Sequence, residues 1–309
     1  MAANIESLFY VGREVPWHGL GQSVECAPTS EEAIRLAGLD WNVVQEEVRC
    51  SSGIITGYKA NIRDIDRKVL GLVTDRYRIV QNKDAFAFTD SLLGDGVTYE
   101  TAGSLASGKR IWLLARMEGR MLTGENFDPY LVFTNSHDGT GAIKVAMTTV
   151  RVVCQNTLNL ALKSADRHWS CVHTGDINGK LEDAKNTLLN AHHYLDELEE
   201  EFGELKMQKL TKDKVVEYIN TMFPIDDADT DRKKGNIIVM RNELLERYEN
   251  APDLQDIEES AYRFVNAVSD FATHTKLHRN TANYQENLFM KTIDGNALID
   301  MAYKMVKTA

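Results

Sequence analysis

The sequence predicts an α+β protein, with an antiparallel sheet and flanking helices over residues 1–175 followed by an all-helical part over residues 176–309. Three observations carry this. Segments rich in β-branched and aromatic residues recur from residue 41 to residue 153, divided by Gly, Asp and Asn turns. From residue 181 the apolar positions change to helical steps of three and four. Charge divides along the same line: residues 1–175 hold 18 Lys+Arg against 20 Asp+Glu, a balance of −2, and residues 176–309 hold 17 against 26, a balance of −9.

A chain of 309 residues with 43% hydrophobic content is long enough for two domains, the first over 1–175 and the second over 176–309. The opening MAANIESLFYVGREVPW has no basic stretch leading into an apolar one, and no segment reaches the run of about 18 apolar residues that a membrane span needs. A cytoplasmic location is the expectation. Cys26, Cys50, Cys154 and Cys171 form no CxxC pair, so free and mostly buried thiols in a reducing compartment are expected.

Taken in order, the glycine- and aromatic-rich segment Phe9, Tyr10, Pro16 to Gly21 lacks either period and reads as an ordered loop. Thr29 and Glu32 fit a capping box that opens a short helix ending at Gly38. WNVVQEEV, GIITGYKANI, KVLGLV, GVTYETAG, KRIWLLARM, PYLVFTNSH and GAIKVAMTTVRVV read as strands, the last being the longest. Between them Asn82 to Leu93 has helical spacing. Asn135 to Gly141 reads as the tight connection of a hairpin, and NTLNLALKSADRH as a helix after it.

In the second half Leu181, Ala184, Leu188, Ala191, Leu195, Leu198, Phe202 and Leu205 lie on one seam, which predicts a single helix of about 26 residues. That seam suits either a bundle within the chain or pairing with another copy, and the helices close behind it favour the bundle. Further helices are predicted over 212–222, 236–249, 256–275 and 296–307, with Asp226 to Lys234 as a charged, flexible connector.

No phosphate-binding, dinucleotide, HExxH or GxSxG signature is present, which points away from an enzyme and leaves no cofactor or metal implied. His274 and His278 share a helix face but lack a third ligand, His168 and His173 flank Trp169 and Cys171, and His192 and His193 point apart. The basic residues are more informative. Arg76 and Arg78 flank Tyr77; Lys109, Arg110, Trp112 and Arg116 form a second group; Lys144 and Arg151 share one strand; Lys163, Arg167 and His168 precede Trp169. Arg110, Trp112, Leu114 and Arg116 fall on one face of a strand, where an indole could stack bases while guanidinium groups neutralise phosphates. The competing reading has Trp112 in the core with arginines covering its rim, and it is the stronger for any single cluster. Recurrence of such clusters around one sheet carries the binding reading.

Three passages, PWHGLG at 16–21, DRYRIVQNKDAFAF at 75–88 and TTVRVVCQNTLNLAL at 148–162, resemble the phage/plasmid-like protein family defined by domain of unknown function 932. The resemblance runs to DGNALIDMAYKMV at 294–306. It implies an accessory protein of a mobile element, and in outline the fold is similar to single-strand annealing proteins. It assigns no residue a role: Asn82, Arg151, Cys154, Gln155 and Asn156 lie within its motifs, where the asparagines also suit helix starts at 83 and 157. The expectation is a non-catalytic single-stranded DNA-binding or annealing protein, a candidate homo-oligomer, using Arg76, Arg78, Lys109, Arg110, Trp112, Arg116, Lys144 and Arg151. Two alternatives stand beside it: a host-interaction or anti-defence protein with a host protein as partner for its acidic surface, and an enzyme in which Cys154, His137, Asp138 and Asn156 meet beside the hairpin.

Overall fold

The computed structural model describes residues 5–11, 22–94, 97–151, 156–157, 168–189, 191–275 and 296–308. Its strands are β1 (Ile5–Val11), β2 (Gln22–Val24), β3 (Val43–Cys50), β4 (Gly53–Arg63), β5 (Val69–Thr74), β6 (Thr98–Leu105), β7 (Arg110–Arg116), β8 (Arg120–Leu122), β9 (Glu125–Ser136), β10 (Ile143–Arg151), β11 (Asn156–Thr157) and β12 (His168–Cys171). Its α-helices are α1 (Ser30–Leu36), α2 (Asn82–Leu93), α3 (Ile177–Leu189), α4 (Ala191–Met207), α5 (Lys212–Met222), α6 (Asp231–Asn250), α7 (Ala261–His274) and α8 (Ala297–Lys307). The fold is mixed α+β. A nine-stranded sheet runs β11-β10-β9-β7-β6-β1-β2, with β12 on β10 and β8 on β9, and a separate three-stranded sheet runs β3-β4-β5. All pairings are antiparallel except β1 with β2.

Local chemistry accounts for the boundaries. The Thr29 N–H donates to Glu32 Oε2 at 3.1 Å to open α1, and Gly38 takes φ +62 just past its end, where a Cβ would be strained. At α2 the Gln81 N–H donates to Asp84 Oδ2 at 3.0 Å, so Gln81 is the cap and Asn82 the first helical residue rather than the cap. Ala85, Phe86 and Phe88 place α2 on the large sheet, in a core shared with Leu113, Leu131, Phe133 and Val145. That face continues into a second core, where Leu122, Phe127 and Met147 meet Leu198, Phe202, Tyr262 and Phe264.

The heptad seam divides between these two cores. Leu181 and Ala184 on α3 pack with the sheet core, while Leu195, Leu198, Phe202 and Leu205 on α4 are buried in the helical one. The helix expected to be one long rod is described as α3 and α4, with residue 190 and the side chains of Leu188 and Ala191 outside the described residues. Its described seam positions are covered by the chain's own core.

Several expectations are corrected. Phe9 and Tyr10 belong to β1 rather than to a loop, because β6 supplies a partner nearly a hundred residues away, with Phe9 opposite Ala102; residues 12–21 lie outside the described residues. Among the described residues the longest strand is β9 with 12 residues, where β10 has 9, since the main chain pairs on both sides of Pro129. Asn156 opens no helix: it lies opposite Arg151 in a strand pair, and residues 158–167 are outside the described residues. The connector 226–234 shortens because Thr230 Oγ1 accepts the Lys233 N–H at 3.3 Å and starts α6 at Asp231, while Asp226 and Asp229 bond each other's backbone. Cys26 and Cys50 are exposed and Cys171 half-buried, which overturns the expectation of mostly buried thiols. Among the described residues no helix is long and apolar enough to cross a membrane.

The hairpin joining β9 to β10 is the seat of the small sheet. Asp138 Oδ1 accepts Ser136 Oγ at 2.6 Å, Thr140 N at 2.9 Å and Thr140 Oγ1 at 2.6 Å, which holds the turn. Gly71 of β5 lies so close that a Cβ there would fall 2.5 Å from Asp138 Cα and 2.8 Å from its carbonyl oxygen. Gly71→Ala is therefore expected to lower the unfolding free energy by about 1–3 kcal/mol, as overpacking against backbone does. A urea melt checks this, and an unchanged midpoint would show that the turn yields freely.

Candidate functional site

The register sorts the eight basic and aromatic positions singled out above. Arg110 lies opposite Ser136 and Lys144 opposite Thr134, at one end of β9. The Lys109 carbonyl accepts the His137 N–H at 2.7 Å at the same end. Tyr77 donates its hydroxyl to the Ser136 carbonyl at 2.5 Å, which brings the exposed Arg76 and Arg78 on either side of it to that end too. Five cations are thus at that end: Arg110 and Lys144 on the sheet face that carries Trp112 and Ala146, Lys109 next to Arg110, and Arg76 and Arg78 with the segment that packs on the opposite face, where Asn135 meets Val80. Arg116 and Arg151 are not, because they sit opposite Tyr130 and Phe127 at the other end of the strand.

Trp112 stacks no ligand from where it sits. It is 4% exposed and packs with Leu8 and Leu105, as in the packing reading of its cluster. Arg116 donates to Asp128 at 2.8 Å, so it is already paired. Lys163 and Arg167 lie outside the described residues, as does His278, and His274 Nδ1 lies 2.8 Å from Asp270 Oδ1. Among the described residues no group of three or more His, Cys, Asp or Glu side chains is placed to hold a metal.

Next to Tyr77 and Arg78 lies a buried polar centre that joins the two sheets. Asn61 Nδ2 on β4 donates to the His137 carbonyl at 2.7 Å, and Gln45 Nε2 on β3 donates to Asn61 Oδ1 at 3.1 Å. Asn82, 1% exposed, donates Nδ2 to the carbonyls of Leu39 at 3.0 Å and Trp41 at 3.3 Å. Its Oδ1 lies 3.0 Å from His137 Nε2, which makes that nitrogen the donor and leaves Nδ1 as the bare acceptor. Trp41 meets His137 edge-on at 5.4 Å between centroids, and the Arg63 guanidinium lies over the indole ring at 5.4 Å. Arg63 in turn is held by both oxygens of Glu6 at 2.8 Å and by Asp66, which keeps its guanidinium charged.

A second histidine completes the centre. His173 stacks on Tyr77 at 4.5 Å and 14°, and its Nδ1 donates to the Arg78 carbonyl at 3.0 Å, while the Arg78 N–H returns a bond to the His173 carbonyl at 2.8 Å. Asn135 donates to the Val80 carbonyl at 2.9 Å. Three buried acceptors, His137 Nδ1, His173 Nε2 and Asn135 Oδ1, meet no donor among the described residues. Burial, together with the nearby His173, pushes the His137 imidazole down to about 3. Burial lowers His173 as well, against the Arg78 carbonyl, which favours its charged form. Both rings are neutral at physiological pH. Burial likewise raises the Tyr77 phenol, which stays protonated and donating.

Sequence reasoning placed Asn82 and His137 in separate groups and passed over Asn61, Arg63, Gln81 and Asn135. Gln81 works as a surrogate strand residue: its Oε1 accepts the Val43 N–H and its Nε2 donates to the Val43 carbonyl, both at 2.9 Å. The set proposed for an enzyme is not assembled by what is described. His137 and Asp138 adjoin, but Asp138 is spent on the turn, Cys154 lies outside the described residues, and Asn156 is described only through its strand pairing.

A family model, described as a domain of unknown function (DUF932), matches residues 69–292. That span takes in Tyr77, Gln81, Asn82, Asn135, His137 and His173, so most of the polar centre lies within it. Comparison with curated proteins gives no match, and neither does comparison with solved structures.

Proposed function

We propose, from the premise that the chain belongs to the DUF932 family, that it is an accessory protein of a phage or plasmid that binds single-stranded DNA without catalysis. The observation that carries this reading is the gathering of Arg76, Arg78, Lys109, Arg110 and Lys144 at one end of the large sheet, in a chain whose net charge is −11. A local cluster of cations against an acidic background steers a phosphate backbone to one place. With Trp112 buried, the contact is electrostatic, and the polar centre acts as the rigid base for the segment that carries Arg76 and Arg78.

The test is the anisotropy of a labelled oligothymidylate titrated across a range of salt. Single-strand affinity loses about 0.7 in log–log slope for each phosphate contact removed, so Arg76→Ala combined with Arg78→Ala is expected to flatten the slope by up to about 1.4. Arg116→Ala, already paired with Asp128, is expected to leave it unchanged. No binding even at low salt overturns the reading. In that event a host protein is the better partner, engaged by the acidic second half, where residues 176–309 carry a balance of −9.

A further inference from the structure

The three-stranded sheet seats one face on the molecule and leaves the other lined by exposed apolar side chains on its edge strands, around the buried Ile62 and Ala60 of β4. Residues directly opposite one another in an antiparallel pair share a face, so the register defines both. Gln45, Asn61 and Gly71 form one row of the inner face, which is seated on the 136–141 hairpin through the Asn61 bond to His137 and the close approach of Gly71 to Asp138. On the outer face Val44, Ile62 and Val69 form one row, Glu46, Ala60 and Leu72 the next, and Tyr58 lies beside Thr74. Leu72 is 60% exposed, Val69 53%, Tyr58 51% and Val44 36%. The concentration is specific to this unit: seven of the thirteen large apolar side chains exposed among the described residues fall within residues 43–74. A contiguous apolar face of this kind on an otherwise charged protein marks a contact surface.

Charge decides what it contacts. Residues 43–74 carry five Lys and Arg against four Asp and Glu, a balance of +1 where the whole chain has −11. On the outer face the ionic groups compensate each other, since Arg67 bonds Glu46. Neither a nucleic acid nor a strongly charged protein finds a complementary field there. An identical apolar face does, and this is where two acidic chains can meet without bringing their like charges together. Extension by strand addition is blocked at the Val43 end of β3, where the Gln81 amide already occupies both main-chain groups.

We infer that two copies of this chain associate face to face through the outer surface of β3-β4-β5, about a two-fold axis, as sheets pack in a sandwich. The inference does not depend on the DNA-binding reading, and its readout is mass alone. Light scattering or sedimentation velocity of the full chain at micromolar concentration is expected to give twice 34.8 kDa, and Leu72→Glu is expected to return it to 34.8 kDa with an unchanged far-ultraviolet circular dichroism spectrum. Tyr58→Lys, on the same face, is expected to do the same should Leu72→Glu fail to fold. Met301→Glu, on the exposed side of α8, is expected to leave the dimer intact. A monomeric wild type, or an assembly that survives both Leu72→Glu and Tyr58→Lys, overturns the inference.

Discussion

Asn82→Ala is expected to lower the unfolding free energy by about 3–5 kcal/mol, because each buried polar group left without a partner costs about 1–3 kcal/mol. The substitution strands three such groups at once: the carbonyls of Leu39 and Trp41 lose their donor, and His137 Nε2 loses its acceptor. All of them lie around a side chain that is 1% exposed, so water does not replace the lost bonds without opening the seam between the sheets. Against a typical domain stability of about 5–15 kcal/mol, the loss is a large fraction of the whole. Urea unfolding followed by circular dichroism and by tryptophan fluorescence, to which Trp41 against His137 contributes, reads the effect. The same variant is expected to weaken DNA binding more than its folded fraction explains, since Asn82 anchors the end of the segment that carries Arg76 and Arg78. A loss below about 1 kcal/mol would place the join between the sheets elsewhere.

That join shows which parts of the structure were legible in one dimension. The span of α2, the strand segments from residue 43 to residue 74 and the hairpin connection could be read directly, since period and turn chemistry are local signals. β1 could not, because its strand character comes from Ala102 and its neighbours and not from its own alternation. The seam of α3 and α4 was legible as a face, but its division between two cores was not, because nothing in the spacing says which layer lies opposite. In the polar centre the usual rule misled. Polar Asn61 and charged Arg63 are expected at the surface, whereas here they are buried on the inner face beside Val43 and Val73, while Leu72, Val69 and Tyr58 are left exposed on the outer one. The family motif at 75–88 was visible as a pattern. Its physical work, through Tyr77, Gln81 and Asn82, is to reach residues 39–43 and 136, contacts that cross from 38 to 59 positions of sequence and leave no periodic trace.

The buried histidines make the same join sensitive to acid. Stability is expected to fall as the pH drops through 6.5, by about 2 kcal/mol at pH 5 from His137 alone. The sign follows from linkage. In the unfolded chain an imidazole takes up a proton near pH 6.5, whereas in the fold His137 stays neutral down to about 3. Between those limits the unfolded state binds more protons, so acidification favours it, at about 1.4 kcal/mol per pH unit for each such group. His173, lowered by burial next to it, adds in the same direction, while Asp138 opposes by favouring a charged His137. The tautomer explains why the fold resists the proton. Nε2 already donates to Asn82, and a proton on Nδ1 would be a second buried donor with no acceptor among the described residues. Most carboxylates titrate below the window from 7 to 5, although burial raises Glu100 toward it, so the His137→Gln difference is what assigns the slope. Unfolding free energies measured across that window are expected to slope upward with pH, and His137→Gln is expected to remove about one proton's worth of that slope. A slope that His137→Gln leaves untouched would mean that the ring already carries its charge in the fold, which is incompatible with the hydrogen bonding around it.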